Sequence, residues 1–205
     1  MKKYIAALST TALISVAPYA LASSTDLIVT GTITPVACTP SLSNGGIVDN
    51  GKISAKDLKP TLDTLVGKHP LQLTVTCDAP AQFALNPIDN QAGTESARTW
   101  FGLGLTDAGE KLGWVRVEVK NTIADGVVAH AIDSDDDGKT WSRTWVSSPG
   151  YLLSTGSATD PSTPIAVQAL TMDFEVETRI ARADSLTLTD EVTLNGSATF
   201  EMKYL

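Results

Sequence analysis

The chain has 205 residues with 15 basic and 23 acidic side chains, a net charge of −8. A surface this acidic repels phosphate backbones, and there is no run of four basic residues, so nucleic acid is not an expected partner. Thr, Ser, Val and Leu are prominent, and little in the composition favours long helices, which leans toward strands.

Lys2 and Lys3 precede an apolar stretch from Tyr4 to Tyr19 and the small-residue triplet Ala20-Leu21-Ala22. That order predicts a secretory signal peptide over residues 1–22, cleaved after Ala22. The alternative, a membrane anchor, is opposed by Ser9, Thr10, Thr11, Ser15 and Pro18 within the run and by its short length. Cleavage removes Lys2 and Lys3 and no acid, so the remaining 183 residues carry 13 basic against 23 acidic side chains, net −10. Residues 23–205 suit one domain. No later stretch approaches about 18 unbroken apolar residues, so no transmembrane segment is expected after cleavage.

In an exported chain, Cys38 and Cys77 are expected to pair as a disulfide. A metal site or a reactive thiol would need neighbours that are missing, since His69 and His130 stand alone.

Short strands are predicted between clusters of Gly, Pro, Asn and Asp. Leu27 to Val36 reads as a strand, Ser43 to Gly46 as a turn, and Ile47 to Ile53 as a resumed strand. Ala55 to Leu65 reads as a loop or one helical turn. Leu71, Leu73 and Val75 alternate with polar residues, and Phe83 and Leu85 continue the pattern. Leu103 and Leu105 follow, then Val115, Val117 and Val119 on one face. Ala129 to Ile132 enters an acidic turn and Thr140 to Val146 leaves it; Ser154 to Pro164 reads as a loop. Ala166 to Ile180 is a longer strand with Met172, Phe174 and Val176 inward. The final segment, Gly196 to Leu205, puts Ala198, Phe200, Met202 and Tyr204 on one face and Thr199, Glu201 and Lys203 on the other.

Within the acidic turn, Ser134, Asp136, Gly138, Thr140 and Trp141 complete the pattern Ser-x-Asp-x-Gly-x-Thr-Trp, the Asp box of sialidases and other β-proteins. Asp136 is expected to accept hydrogen bonds across the turn, Gly138 to take a positive φ and Trp141 to pack beneath the hairpin, a structural role. One box in a chain this short does not make a propeller, so glycosidase activity is not expected. The same turn places Asp133, Asp135 and Asp137 as the opening of a calcium loop, but its twelfth position is Thr144 where a bidentate Glu belongs. Trp141, Arg143 and Trp145 would share a face if Thr140 to Val146 is one strand. Trp141 is then core, whereas Trp145 is either core or a platform for sugar or protein.

No nucleophile and base pair, no Gly-x-Ser-x-Gly elbow and no His-Glu-x-x-His pair is present, so no catalytic residue and no cofactor is expected.

Gly31, Ile33 and Cys38, the second cysteine on a strand, the alternating C-terminal strand and penultimate Tyr204 together resemble pilins of the chaperone-usher fimbrial system. The ending from Leu194 to Phe200 is similar to that of a fimbrial-like exported bacterial family of unassigned function. The resemblance covers both ends of the chain; the stretch from Gln91 to Pro164 does not align with a standard pilin. It implies an immunoglobulin-like, pilin-type β-sandwich with one disulfide and a missing last strand. Ala198, Phe200, Met202 and Tyr204 would then border a groove filled by β-strand addition, with Leu205 as the anchor for a periplasmic chaperone. Other fimbrial subunits, the periplasm and the cell surface are the implied partners and location. Only Ser23 to Thr30 precede Gly31, short for a polymerising donor segment. The competing reading is a self-complete periplasmic or surface sandwich that binds carbohydrate or protein, with the same four residues as ordinary core.

Overall fold

The computed structural model describes residues 30–31, 36–97 and 99–205. The expected leader, residues 23–29 and most of the first expected strand, Ile33 included, lie outside the described residues. The described strands belong to one compact unit, Thr34–Leu205.

In chain order they are β1 (Cys38–Leu42), β2 (Thr64–Ala81), β3 (Phe83–Asp89), β4 (Phe101–Gly102), β5 (Gly113–Ala124), β6 (Val127–Val128), β7 (His130–Ser134), β8 (Ser142–Arg143), β9 (Val146–Ser147), β10 (Leu152–Gly156), β11 (Val167–Ile180) and β12 (Ala198–Tyr204). One sheet has the order β1-β2-β11-β5-β4, with β6 and β9 also on β5; the other runs β12-β3-β10-β7-β8. Every pairing between these strands is antiparallel. Alternation along the strands turns Leu73, Val75, Met172 and Phe174 of the first sheet, and Phe83, Leu85 and Leu153 of the second, into one buried cluster. The protein is therefore an all-β sandwich.

Among the described residues β1 is an edge strand paired only with β2, in a register that sets Cys38 directly opposite Cys77. The two form a disulfide, with their Cα atoms 3.9 Å apart. At the other end of the first sheet, Gly113 opens β5 against Ile180. A Cβ there would stand 2.1 Å from the Arg179 carbonyl oxygen, so only glycine lets the strands approach this closely.

Three expected elements differ. Ile47 to Ile53 is not a strand: the Gly51 N–H turns back to Asp49 Oδ1 at 2.8 Å, and Gly51 takes φ +62°. Asn50 at this turn reaches over the sheet to Thr178 and His69. Ser154 to Gly156 is not loop but the end of β10. Its buried hydroxyls are satisfied there, Ser154 Oγ by the Phe83 carbonyl at 2.6 Å and Thr155 Oγ1 by the His130 carbonyl at 3.2 Å. Thr140 to Val146 is not one strand either, because β8 belongs to the second sheet and β9 to the first, so the chain crosses between sheets at Thr144 and Trp145.

Candidate functional site

β12 pairs with β3 along its whole length, from Ala198 opposite Asp89 to Tyr204 opposite Phe83. The ladder extends past both ends: the Asn90 N–H donates to the Ser197 carbonyl at 3.0 Å and the Leu205 N–H to the Gln82 carbonyl at 3.1 Å. Because both backbone groups of a residue in an antiparallel strand point the same way, and alternate from one residue to the next, odd-numbered residues here face β3. The N–H and C=O groups of Phe200, Met202 and Tyr204 therefore point to the opposite edge. Among the described residues no strand pairs with that edge.

The side chains along this edge are partly covered. Phe200 and Met202 pack on the main core cluster but are only half-buried, and so are Cys38 and Leu42 of β1. Phe200 stacks on fully buried Phe174, ring centroids 5.9 Å apart at 27°. The Cys38 N–H donates to Tyr204 Oη at 2.8 Å, linking β1 and β12. An apolar seam with half-covered residues on both flanks thus runs between the edge strands of the two sheets. Ala198 and Leu205, at the two ends of this strand, are exposed.

On the outward face of β12, Asn90 donates to Thr199, Asn86 donates to Glu201, and Lys203 pairs with Asp137. This last pair leads to the Asp-box hairpin between β7 and β8. Asp136 accepts from Ser134 Oγ at 2.8 Å, from the Lys139 N–H at 3.1 Å, from the Thr140 N–H at 2.9 Å and from Thr140 Oγ1 at 2.7 Å. The backbone and hydroxyl of Thr140, then Ser134, hold the Asp136 carboxyl down at about 2. Gly138 takes φ +88° and accepts the Trp141 indole N–H at 3.1 Å. A Cβ on Gly138 would touch the Trp141 ring, Leu152 and Leu205, so the hairpin tip rests against the C-terminal residue.

Two of the three candidate calcium-loop carboxylates are engaged within the protein. Asp133 accepts from Ser142 Oγ at 3.2 Å, and Asp137 is held below its ordinary value by Lys203. No group of three potential ligands among the described residues could hold a metal ion. His69 lies on β2 and His130 on β7, in different sheets. Trp141 is half-buried beneath the hairpin, whereas Trp145 is 63% exposed with the Arg143 guanidinium 5.3 Å from its ring centre.

Sequence reasoning missed a charged ladder on the outer face of the first sheet. Glu177 has a side chain only 2% exposed, beneath Lys68 at 3.0 Å, Arg116 at 3.1 Å and Arg179. Burial opposes its ionisation, but these three cations prevail and hold its carboxyl at about 2. Arg116 and Arg179 also lie over Trp100 and Trp114, which stack on each other at 5.8 Å.

Residues 27–100 match the family described as "Protein of unknown function (DUF1120)". The chain is similar to proteins of no stated activity. Protein GltF of Escherichia coli (strain K12) is 28% identical over 256 aligned positions, covering 100% of this chain and 99% of that protein. Uncharacterized protein YhcF of the same strain is 35% identical over 60 residues, 29% of this chain and 25% of that one. The family match spans β1, β2 and β3, hence the disulfide, one flank of the seam and the strand on which β12 is built; β12 itself lies beyond it.

Proposed function

We propose that this chain is an exported, fimbrial-like subunit whose sandwich accepts an extended segment of another chain along the free edge of β12. The observation that carries the reading is the pairing of outward-facing backbone groups at Phe200, Met202 and Tyr204 with half-buried side chains at Phe200 and Met202. An entering strand satisfies the first by hydrogen bonds and covers the second with its alternate side chains. Tyr204, bonded to the β1 backbone, holds the two flanks of the seam in place, and the Asp-box hairpin braces Lys203 and Leu205. The partner is a periplasmic chaperone first and other fimbrial subunits afterwards, in the periplasm and at the cell surface.

The test is co-expression of the chain with periplasmic pilus chaperones of the producing organism. A one-to-one complex is expected, and Met202→Lys should abolish it while leaving a folded, disulfide-bonded protein, because Met202 already meets solvent. A stable uncomplexed monomer that no chaperone captures contradicts the proposal and favours the self-complete sandwich.

A further inference from the structure

At the crossover between sheets the chain buries Thr144 and exposes Trp145, the reverse of what hydrophobicity alone would choose. The arrangement is fixed by backbone bonds: Thr144 N–H to the Ala131 carbonyl at 3.0 Å, and Val119 N–H to the Trp145 carbonyl at 2.8 Å. The Thr144 hydroxyl is spent on the Val146 carbonyl at 3.0 Å. The exposed indole thus lines a cleft of about 160 Å³ between β5 and β7, beside Lys120, Asn121, Val128, His130 and Arg143. Among the described residues its ring partner is a cation, the Arg143 guanidinium.

In this acidic chain, Arg116, Arg179 and Arg182 each pair with a carboxylate. Arg143 pairs with none among the described residues and is instead laid over Trp145. A guanidinium held in this way presents a planar fork of N–H donors to an incoming carboxylate. His130 likewise has no side-chain hydrogen bond to a described residue, and Asn121 uses its amide N–H on Asp173, leaving its oxygen as an acceptor.

We infer that this cleft binds an acidic sugar residue. The sugar's C–H face covers the part of the indole that Arg143 leaves bare, its carboxylate meets the Arg143 guanidinium, and its hydroxyls reach His130 and Asn121. The cleft is the size of one sugar ring, whereas a protein interface takes about 800 Å² from each partner, far more than one indole and the exposed Val127–Val128 tip supply. The site stands at the edge of the second sheet opposite β12, so it neither requires nor tests strand addition.

The test is calorimetric titration of the disulfide-intact protein at low salt with two pairs of probes: trigalacturonate against neutral galactotriose of the same linkage, and sialyllactose against lactose. The acidic member of at least one pair should bind saturably and at least tenfold more tightly than its neutral counterpart. Galacturonate monomer separates a single-ring subsite, for which it matches the trimer per ring, from recognition of a longer acidic chain, for which it is far weaker. Trp145→Ala and Arg143→Gln should each weaken binding tenfold or more, with partial recovery in Arg143→Lys and unchanged thermal unfolding, since both side chains are exposed. Equal binding of acidic and neutral probes, or no binding of either, overturns the inference. So does affinity that survives both substitutions, or capture of a protein at this face that acidic sugar does not displace.

Discussion

The disulfide provides the clearest magnitude. Cys38 and Cys77 are 39 residues apart, and closing a loop of that length in the unfolded chain stabilises the folded state by about 4 kcal/mol on the chain-entropy account. For a domain of this size, 1 kcal/mol corresponds to roughly 2–4 °C, so the double substitution Cys38→Ala/Cys77→Ala should lower the melting temperature by about 8–16 °C. Alanine is the right replacement because Cys77 is 3% exposed and a serine would bury a hydroxyl. Thermal unfolding followed by far-ultraviolet circular dichroism, with the oxidised protein as reference, measures the difference. The loss should come with loosening of β1, an edge strand held also by five register pairs with β2, the Ser41–Thr74 hydroxyl hydrogen bond, the packing of Leu42 on the core and the Tyr204 hydroxyl. A drop below about 3 °C would refute the reasoning, because the bridge would then not be constraining the unfolded chain.

Two further predictions concern pH. Glu177 has its folded value depressed to about 2, so its contribution is fully present above about pH 5 and is lost as pH falls through the folded value. Glu177→Gln should therefore cost on the order of 3 kcal/mol at pH 7 by leaving Lys68, Arg116 and Arg179 without their shared carboxylate, and denaturant titrations should show the difference shrinking toward pH 2. Asp136, also held at about 2, follows the same sign. Asp136→Ala should lower the melting temperature at neutral pH and increase amide exchange at Lys139 and Thr140, with the melting difference fading as the pH approaches 2.

How much of this was legible in the sequence depended on whether the cause was local. The alternation of Leu71, Leu73 and Val75 marks β2, because a one-sided buried strand imposes period two on its own residues. Its full length of 18 residues was harder to see, since Pro70 interrupts the pattern. Pro70 falls beyond the stretch paired with β1, where β2 has a described partner on one side only and a missing N–H is tolerated. The break at Thr144 was hidden because two short strands continuous in sequence belong to different sheets. Glu177 reads as one more polar residue on β11; its burial is made by cations on β2 and β5, brought beside it only by strand pairing. At β12 the alternation of Phe200 and Met202 announced an inward face but not what covers it. The half-burial of both residues became visible only with the neighbouring strands in place.

The central claim is that the β12 edge facing away from β3 is available to another chain, and amide hydrogen exchange followed by NMR on the uncomplexed monomer tests it most directly. The account predicts alternation along one strand: protected amides at Glu201 and Lys203, which face β3, and fast exchange at Phe200 and Met202, which become protected once a partner strand is added. Equal protection of all four amides in the uncomplexed monomer would contradict it.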